Sequence, residues 1–330
     1  METEKILKEL CVQGGFSGYE ADYLDRFDAL MAPFAEKRGT DTLGSRWYLR
    51  RGKGDKTLMV EAHADKIGLM VSHITDDGFL LFSQVGGFDK KILPASHVTV
   101  FGKEKLSGVI GSVPPHLRKK QTFEMESLCV DIGMSGDRAK ELVNVGDFID
   151  FNTELTPLSC GKVAGSALDD RAGLAAIVRM MDFLGDEGIN IMVVASTQEE
   201  VGCRGAKVAA YGIKPDYYIC IDVCHGETPD ASKNVFPCGG GSVITVGPNV
   251  QPFMSEKLLN IAKEKSIPYK IDVDSGDTGT NAWNVQIVRM GIPTALLSIP
   301  TRYMHTMYEV VSTKDIDYTA RLLAEVAKEI

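Results

Sequence analysis

Two adjacent carboxylates, Glu199 and Glu200, follow an apolar run at residues 189–195 after three polar residues. A short run rich in β-branched residues predicts a buried strand in the centre of a sheet. In open α/β sheets, ligands bind beyond the carboxyl ends of the strands, where this pair would lie. Successive side chains point in different directions, so one carboxylate could bind a cation while the other faces a substrate. Adjacent glutamates also occur in exposed acidic turns. The rest of the sequence must decide whether this pair marks a binding site or such a turn.

Five side chains with metal-binding atoms are expected at strand ends or just beyond them: His63, Asp169, Glu200, Asp222 and His305. Each alone has a simpler explanation, because single histidines are often satisfied core or surface residues and single aspartates often cap helices. Together they form a mixed imidazole and carboxylate set, which suits zinc, cobalt or manganese. In several aminopeptidases two ions about 3.5–4 Å apart clamp the attacking and carbonyl oxygens. A spare carboxylate, Glu199, beside these ligands fits that chemistry.

The elements that must position these side chains alternate between strand and helix. Apolar runs predict strands at 47–49, 58–60, 189–195, 217–221 (ending in Asp222), 243–246 and 294–298. Apolar residues at helical spacing predict helices at 4–12, from the N-cap Ser17 to 31, and at 172–184, 255–264, 282–290 and 312–330. Such alternation predicts the α/β class, with right-handed crossovers and a mixed, largely parallel sheet flanked by helices.

A different pattern occupies residues 68–159. Short alternating strands are predicted at 68–73, 78–82, 97–100 and 106–110, separated by turns rich in Gly, Pro and Asp. We interpret this stretch as a small β-rich domain, barrel-like or PDZ-like, inserted into a larger one. The catalytic domain would then combine residues 1–67 and 160–330, because His63 and Asp169 must meet at one site. The insert would be a dimerisation domain.

Composition narrows the class of partner. The 330 residues include 36 basic and 45 acidic ones, giving a net charge of -9 without any basic block. This balance argues against a nucleic-acid or anionic-membrane surface and favours peptides or small molecules. No signal-peptide pattern opens the chain, and no apolar run approaches the ~20 residues that span a bilayer. A cytoplasmic location, with no membrane partner, is therefore expected.

Several motifs, in order along nearly the whole chain, resemble the tetrahedral aminopeptidase family. This family comprises the metal-dependent glutamyl and deblocking aminopeptidases of the co-catalytic zinc exopeptidase clan. The matching motifs are His63-x-Asp65-x-Ile67-Gly68, Gly108-Val109-Ile110-Gly111-x-x-Pro114-Pro115-His116-Leu117, Leu168-Asp169-Asp170-Arg171-x-Gly173, Gln198-Glu199-Glu200-Val201-Gly202-x-Arg204-Gly205-Ala206, Asp222-Val223-x-His225 and Ile299-Pro300-x-Arg302-Tyr303-x-His305. Each motif alone is a weak signal, whereas the ordered set is specific.

The resemblance implies a ligand arrangement. His63 and Asp222 would hold one divalent ion, Glu200 and His305 the other, and Asp169 would bridge them. The cofactors would be two divalent ions per subunit, zinc or cobalt, with manganese as an alternative. The resemblance also implies a homo-oligomer, with dimers assembling into a tetrahedral dodecamer.

The resemblance also implies two catalytic roles. Glu199 would be the general base that takes a proton from the attacking water and passes it to the leaving amine. Asp65 would bond to the imidazole of His63 and fix its tautomer. The peptide bond between Asp169 and Asp170 is expected to be cis. The implied activity is a metal-dependent aminopeptidase that hydrolyses N-terminal residues from peptides.

Four positions depart from the family pattern. Phe16, Lys66, Asn281 and Met307 stand where the family usually has Pro, Glu, Asp and Pro, respectively. None of these changes removes an expected ligand or the base, but they would alter the pocket or local loops. Two alternatives stay open: another two-metal hydrolase, such as a carboxypeptidase or deacylase, and a non-catalytic peptide-binding scaffold. An intact Glu199 beside intact ligands argues against the scaffold.

Overall fold

The computed structural model describes residues 2–114, 125–185, 188–229, 231 and 234–330. Within these residues the α-helices are α1 (Thr3–Leu10), α2 (Ala21–Met31), α3 (Gly136–Leu142), α4 (Leu168–Phe183), α5 (Arg204–Ile213), α6 (Pro252–Glu264), α7 (Asn281–Val285) and α8 (Thr313–Glu329). No helix in this described part of the chain combines the length and the apolar character needed to cross a lipid bilayer. The motif residues Pro115, His116 and Leu117 lie outside the described residues.

The strands form a large sheet and a barrel. In chain order they are β1 (Lys37–Thr40), β2 (Arg46–Arg50), β3 (Thr57–His63), β4 (Gly68–Ile74), β5 (Leu80–Val85), β6 (His97–Phe101), β7 (Lys105–Ser112), β8 (Leu128–Asp131), β9 (Phe148–Phe151), β10 (Thr156–Leu158), β11 (Lys162–Gly165), β12 (Asn190–Ser196), β13 (Tyr217–His225), β14 (Ser242–Val246), β15 (Tyr269–Val273), β16 (Thr294–Arg302) and β17 (Glu309–Ser312). Among these described strands, eleven share one mixed sheet and six close into the barrel. The predicted α/β class with a small β-rich insert is confirmed.

The centre of the large sheet is parallel. Its strand order is β1-β2-β12-β3-β13-β16-β17-β11-β10, and β14 and β15 extend it from β16. The four central strands, β12, β3, β13 and β16, run parallel, with Ser196 opposite His63 and Asp222 opposite Ser298. Because parallel strands direct their carboxyl ends to the same edge, the residues that follow β3 and β12 meet the last residues of β13 there.

Alternation along the strands assigns the expected ligands to one face of the sheet. Val60 points into a core that also contains apolar residues of α1, α4 and α8. Its neighbour Met59 points into the opposite core, together with Tyr218 and residues of α5 and α7. Burial of an apolar side chain of this size stabilises the folded state by about 1.5–3 kcal/mol. A shift of one residue would turn each side chain to the other face, so this energy fixes the strand register. His63 and Asp222, four residues beyond Met59 and Tyr218, therefore share the α5 and α7 face.

The barrel follows β3 in the chain and has the strand order β4-β5-β8-β7-β6-β9. Its interior is a separate apolar core that includes Leu69, Val100, Val130 and Ile149, all fully buried. Strand β10 lies within the stretch 68–159 but pairs with β11 of the large sheet, with Thr156 opposite Ala164. Residues 156–158 thus belong to the large sheet, because this hairpin supplies their hydrogen bonds. The division of the chain into two domains stays a prediction.

The prediction that α2 begins at Ser17 is wrong. The helix begins at Ala21, and the preceding turn contains Gly18 with φ of +87°. The hydroxyl of Ser17 donates a hydrogen bond of 2.6 Å to Oδ2 of Asp65 instead of capping the helix. A distant carboxylate therefore competes successfully for the hydroxyl that the local pattern assigned to a cap.

Two other predicted limits also differ. Helix α7 ends at Val285 instead of residue 290, because the chain turns back and the N–H of Ile292 donates to the carbonyl of Gln286. Strand β13 continues through Asp222 to His225, since its register with β16 extends that far. Asp222 therefore lies inside a strand, where its direction is set by the pleat.

Candidate active site

Asp169 lies between two imidazoles at the carboxyl edge of the large sheet. Its Oδ1 is 3.0 Å from Nε2 of His63, and its Oδ2 is 3.2 Å from Nε2 of His305. His63 ends β3, whereas Asp169 lies in the first turn of α4, after the barrel and β11. The peptide bond between Asp169 and Asp170 is cis, as expected. The chain thus returns to the end of β3 after the insert.

The expected metal ligands lie in two groups that share Asp169. One group is His63, Asp169 and Asp222, and the other is Asp169, Glu200 and His305. Within each group, one ligand atom from each residue lies within 4.8 Å of the others. The structure brings all five side chains together, in the division that the family resemblance implies. A carboxylate common to both groups is suited to bridge two ions.

Turns and a strand hold the remaining ligands in place. Glu200 lies in the turn between β12 and α5, and its side chain is 4% exposed. Asp222 projects from β13, and its Oδ1 accepts a hydrogen bond of 2.7 Å from the N–H of Val223. His305 follows β16 in a left-handed conformation with φ of +58°, and its side chain is 37% exposed. His305 therefore lies on the solvent side of the site.

The electrostatics of the site suit a cation. Burial raises the pKa of the Glu200 and Asp222 carboxyls, and the nearby charge of Asp169 adds to this effect. Burial also opposes ionisation of Asp169, but hydrogen bonds with His305 and His63 hold its pKa well below the usual range. The bond to Asp169 raises the pKa of His305 to about 10. Buried carboxylates so close together are costly unless positive charge compensates them, so the donor set fits divalent ions.

Comparison with known proteins identifies the family. A family model described as M42 glutamyl aminopeptidase matches residues 44–322. The chain belongs to the M42 glutamyl aminopeptidase family. Lysyl aminopeptidase of Pyrococcus furiosus is 36% identical to this M42 chain, over 99% of the chain and 97% of the relative. The protein is therefore an aminopeptidase, as predicted, and its family implies catalysis that depends on divalent metal.

Solved structures agree with this assignment. An aminopeptidase from the archaeon Desulfurococcus kamchatkensis has a TM-score of 0.94 at 32% identity, and the match covers 99% of this chain and 95% of that one. The TET1 peptidase of Pyrococcus horikoshii, described as assembling into a tetrahedron or a large octahedral shell, has a TM-score of 0.88 at 31% identity. That match covers 100% of both chains. The large sheet and the barrel are thus both part of the M42 fold.

In this M42 aminopeptidase, Asp65 organises the turn that carries the two glutamates. Its fully buried carboxylate accepts hydrogen bonds from the N–H groups of Glu199, at 2.9 Å, and Glu200, at 3.1 Å. Nδ1 of His63 lies closer to the carbonyl oxygen of Asp65, at 3.1 Å, than to its carboxylate, at 3.5 Å. The backbone of Asp65 therefore orients the imidazole, and its side chain holds the glutamate turn.

Glu199 faces the ligand groups and also contacts Cys203. The thiol of Cys203 donates to Oε1 of Glu199 across 3.0 Å, from a left-handed residue with φ of +54° at the start of α5. Burial raises the pKa of Glu199. Burial and the neighbouring Glu199 charge raise the pKa of the Cys203 thiol, which keeps it a hydrogen-bond donor. One carboxylate oxygen of Glu199 is thereby fixed in direction.

Glu309 is a site residue that the sequence patterns did not indicate. It begins β17 and is buried, and its two carboxylate oxygens accept hydrogen bonds from the N–H groups of Asp169, at 3.0 Å, and His305, at 2.9 Å. Burial raises its pKa to about 8. In the sequence, Glu309 is only a single glutamate at the start of the short segment Glu309–Ser312. That pattern does not indicate which groups its carboxylate would accept hydrogen bonds from. Glu309 therefore connects two candidate ligands that lie far apart in the chain.

Another buried carboxylate, Glu61, lies below the site on the same face as His63. It accepts hydrogen bonds from Ser196 and Tyr218 and, at 2.8 Å, from Nδ2 of Asn281. Burial raises its pKa. Asn281 is one of the departures from the family pattern, and here its amide supplies a donor to this carboxylate. The network connects the last residue of β12 to β3 and β13, directly beneath the glutamate turn.

Proposed function

We propose that this M42 aminopeptidase removes N-terminal residues from peptides with two divalent ions bound at the edge of the large sheet. His63 and Asp222 would hold one ion, Glu200 and His305 the other, and Asp169 both. The observation that carries this proposal is the pair of ligand groups that share Asp169. Imidazole nitrogens and carboxylate oxygens suit zinc or cobalt, with manganese as the alternative.

Divalent ions at such a site polarise the scissile carbonyl and lower the pKa of water. Glu199 is the proposed general base, which takes a proton from the attacking water and passes it to the leaving amine. Burial raises the pKa of Glu199, which favours a group that must both accept and return a proton. Asp65 is a positioning residue in this scheme, because it holds the N–H groups of Glu199 and Glu200.

Metal removal and restoration test the proposal. Exhaustive chelation should abolish release of p-nitroaniline from leucine p-nitroanilide, and excess zinc or cobalt should restore it, because the ions supply the electrophile. Metal analysis should show two ions per subunit in the restored enzyme. Full activity in a preparation with no bound metal would overturn the metal mechanism, and one ion per active subunit would overturn the two-ion site.

A peptide pair separates the aminopeptidase from other two-metal hydrolases. The enzyme should release a free N-terminal residue from an unblocked peptide and nothing from its N-acetylated form. Release of acetate would indicate a deacylase, and release of the C-terminal residue a carboxypeptidase. Either result would contradict the proposed cleavage at the N-terminus.

We propose that the chain forms a homo-oligomer in which the predicted insert, residues 68–159, makes the dimer contact through its barrel. Support comes from the assembling TET1 relative and from exposed apolar side chains on the insert, Val109, Val113 and Val145, of which Val145 is 64% exposed. A tetrahedral dodecamer would enclose the sites and protect folded proteins from cleavage. Light scattering after size exclusion tests this, and a fully active monomer would contradict it.

A further inference from the structure

A cleft leads from the candidate metal site across the sheet to strand β15. Its volume is about 330 Å³, and Asp169, Glu199, Asp222 and His305 lie at one end. The opposite end contains two more carboxylates, Asp272 and Asp274, which the proposed mechanism does not use. They lie in one cavity with the site where a peptide would be cleaved.

The strand register explains why Asp272 faces the same cleft as Asp222. Asp222 lies opposite Ser298 of β16, Ser298 lies opposite Val243 of β14, and Thr245, two residues after Val243, lies opposite Asp272 of β15. Paired residues share a face of a sheet, and so do residues two apart on one strand. Asp222 and Asp272 therefore project from the same face of the sheet, three strands apart.

The charge of this end of the cleft is negative and poorly compensated. No lysine or arginine is among the described residues that line the cleft. Burial and the charge of Asp274 raise the pKa of Asp272. Asp274 is held in place because its N–H donates to the carbonyl of Val246 and its Oδ1 accepts from the N–H of Gly276. A cation in this end of the cleft would relieve the repulsion between two carboxylates.

We propose that Asp272 and Asp274 form the end of the pocket for the N-terminal side chain of the substrate and select lysine or arginine there. This inference rests on the proposed function, because it assumes that the peptide N-terminus binds beside Asp169 and Glu199. The ligand class is a peptide with a basic first residue.

The length of the cleft favours a long side chain. Three strand spacings and an offset of two residues place the Cα atoms of Asp222 and Asp272 about 15 Å apart. Side chains on one face of a sheet stand roughly perpendicular to it and do not close this gap, so only a side chain as long as that of lysine, about 6 Å plus a hydrogen bond of about 3 Å, extends well across it. Leu296, 3% exposed, lies two residues before Ser298 on the same face of β16 and lines the cleft. It offers apolar surface for the methylene groups of lysine or arginine.

The same charges should exclude an acidic first residue. A glutamate side chain in this pocket would meet Asp272 and Asp274 without a compensating lysine or arginine among the described lining residues. Like charges brought together in a half-buried site are strongly unfavourable. The selectivity of this chain should therefore be opposite to that suggested by the glutamyl name of its family.

The test begins with the wild-type enzyme, restored with zinc or cobalt, and peptides that differ only in their first residue. Arginine and citrulline have nearly the same shape but differ in charge, so their kcat/KM ratio isolates the charge. We expect arginine to be preferred about 10- to 100-fold, the range for a hydrogen bond to a charged group. Leucine and glutamate peptides complete the series, with glutamate the poorest. Equal rates for arginine and citrulline would overturn the inference without any mutant.

The variants Asp272→Asn and Asp274→Asn then locate the selectivity. Each should reduce the arginine-to-citrulline ratio toward 1, and the double variant should nearly abolish it. The matched control is Asp55→Asn, which removes the same charge from an exposed position before β3, and it should leave both the ratio and the activity unchanged. A ratio that stays at the wild-type value in the double variant would overturn the assignment to these two residues.

The outcomes separate this inference from the proposed function. If no peptide of the series, leucine included, is cleaved after metal is restored, the proposed function fails. If leucine peptides are cleaved but arginine and citrulline react alike, the aminopeptidase stands and only the basic pocket is refuted.

Discussion

Replacement of Lys66 by methionine should destabilise the protein by about 3–5 kcal/mol, the usual cost of leaving one partner of a buried ion pair alone. Nζ of Lys66 lies 2.6 Å from Oδ1 of Asp150 and 2.9 Å from Oγ of Ser166. The Lys66 and Asp150 side chains are 3% and 0% exposed. Methionine fills similar space but carries no charge, so the Asp150 carboxylate would remain buried without its counter-charge.

The Lys66–Asp150 ion pair lies where several separate parts of the chain meet. Asp150 belongs to β9 of the barrel, and its other oxygen accepts a hydrogen bond of 2.9 Å from the N–H of Gly14. Ser166 lies three residues before Asp169, the proposed shared ligand. Lys66 therefore connects the barrel, the N-terminal segment and the residues just before α4. Its replacement should weaken the contacts among all three.

Urea unfolding followed by tryptophan fluorescence, at one fixed protein concentration, measures the effect. The double variant Lys66→Met/Asp150→Asn should recover at least half of the loss, because it removes both charges and keeps an acceptor for Gly14. The control Lys140→Met breaks an exposed barrel ion pair with Asp76 and should leave the midpoint unchanged. A Lys66→Met protein within about 1 kcal/mol of wild type would refute the reasoning.

Two further predictions concern catalysis and pH. Glu199→Gln should keep the fold and bound metal but lower kcat by about 10² to 10⁴, because the amide cannot accept a proton; a variant with a tenth of wild-type turnover would reassign the base. Burial raises the pKa of Asp315 from 3.8 to about 6, so its contribution to stability is fully present below pH 3.8 and is lost as pH rises through 6. Relative to wild type, Asp315→Asn should therefore gain about 2–3 kcal/mol between pH 4 and pH 8 in urea unfolding, and an unchanged difference between the two proteins would contradict this.

Several parts of the fold could be predicted from local patterns. The apolar run before Glu199 predicted β12, and the helical spacing of apolar residues predicted α1, α4 and α8. The short alternating strands after residue 68 predicted a β-rich insert, which is the barrel. These elements were predictable because the residues that determine them are neighbours in the chain.

Element limits failed where a distant partner competes with the local signal. Ser17 is a good N-cap by type, but its hydroxyl donates to Asp65, 48 residues away. The run at 217–221 ends in an acidic residue, yet pairing with β16 carries β13 on to His225. In each case a tertiary hydrogen bond outweighs a local preference worth about 1 kcal/mol.

For the candidate site, too, some features could be predicted from the sequence and others could not. The sequence by itself indicated which side chains are candidates to bind metal and to accept a proton, because residue types at strand ends can be identified without the structure. Only the tertiary structure decided that Asp169 lies within 3.2 Å of two histidines, that Asp65 holds the glutamate turn, and that Glu309 joins two candidate ligands. The physical reason is that a buried carboxylate must accept hydrogen bonds from the donors that folding places beside it. Those donors lie tens of residues away in the sequence, so local patterns do not identify them.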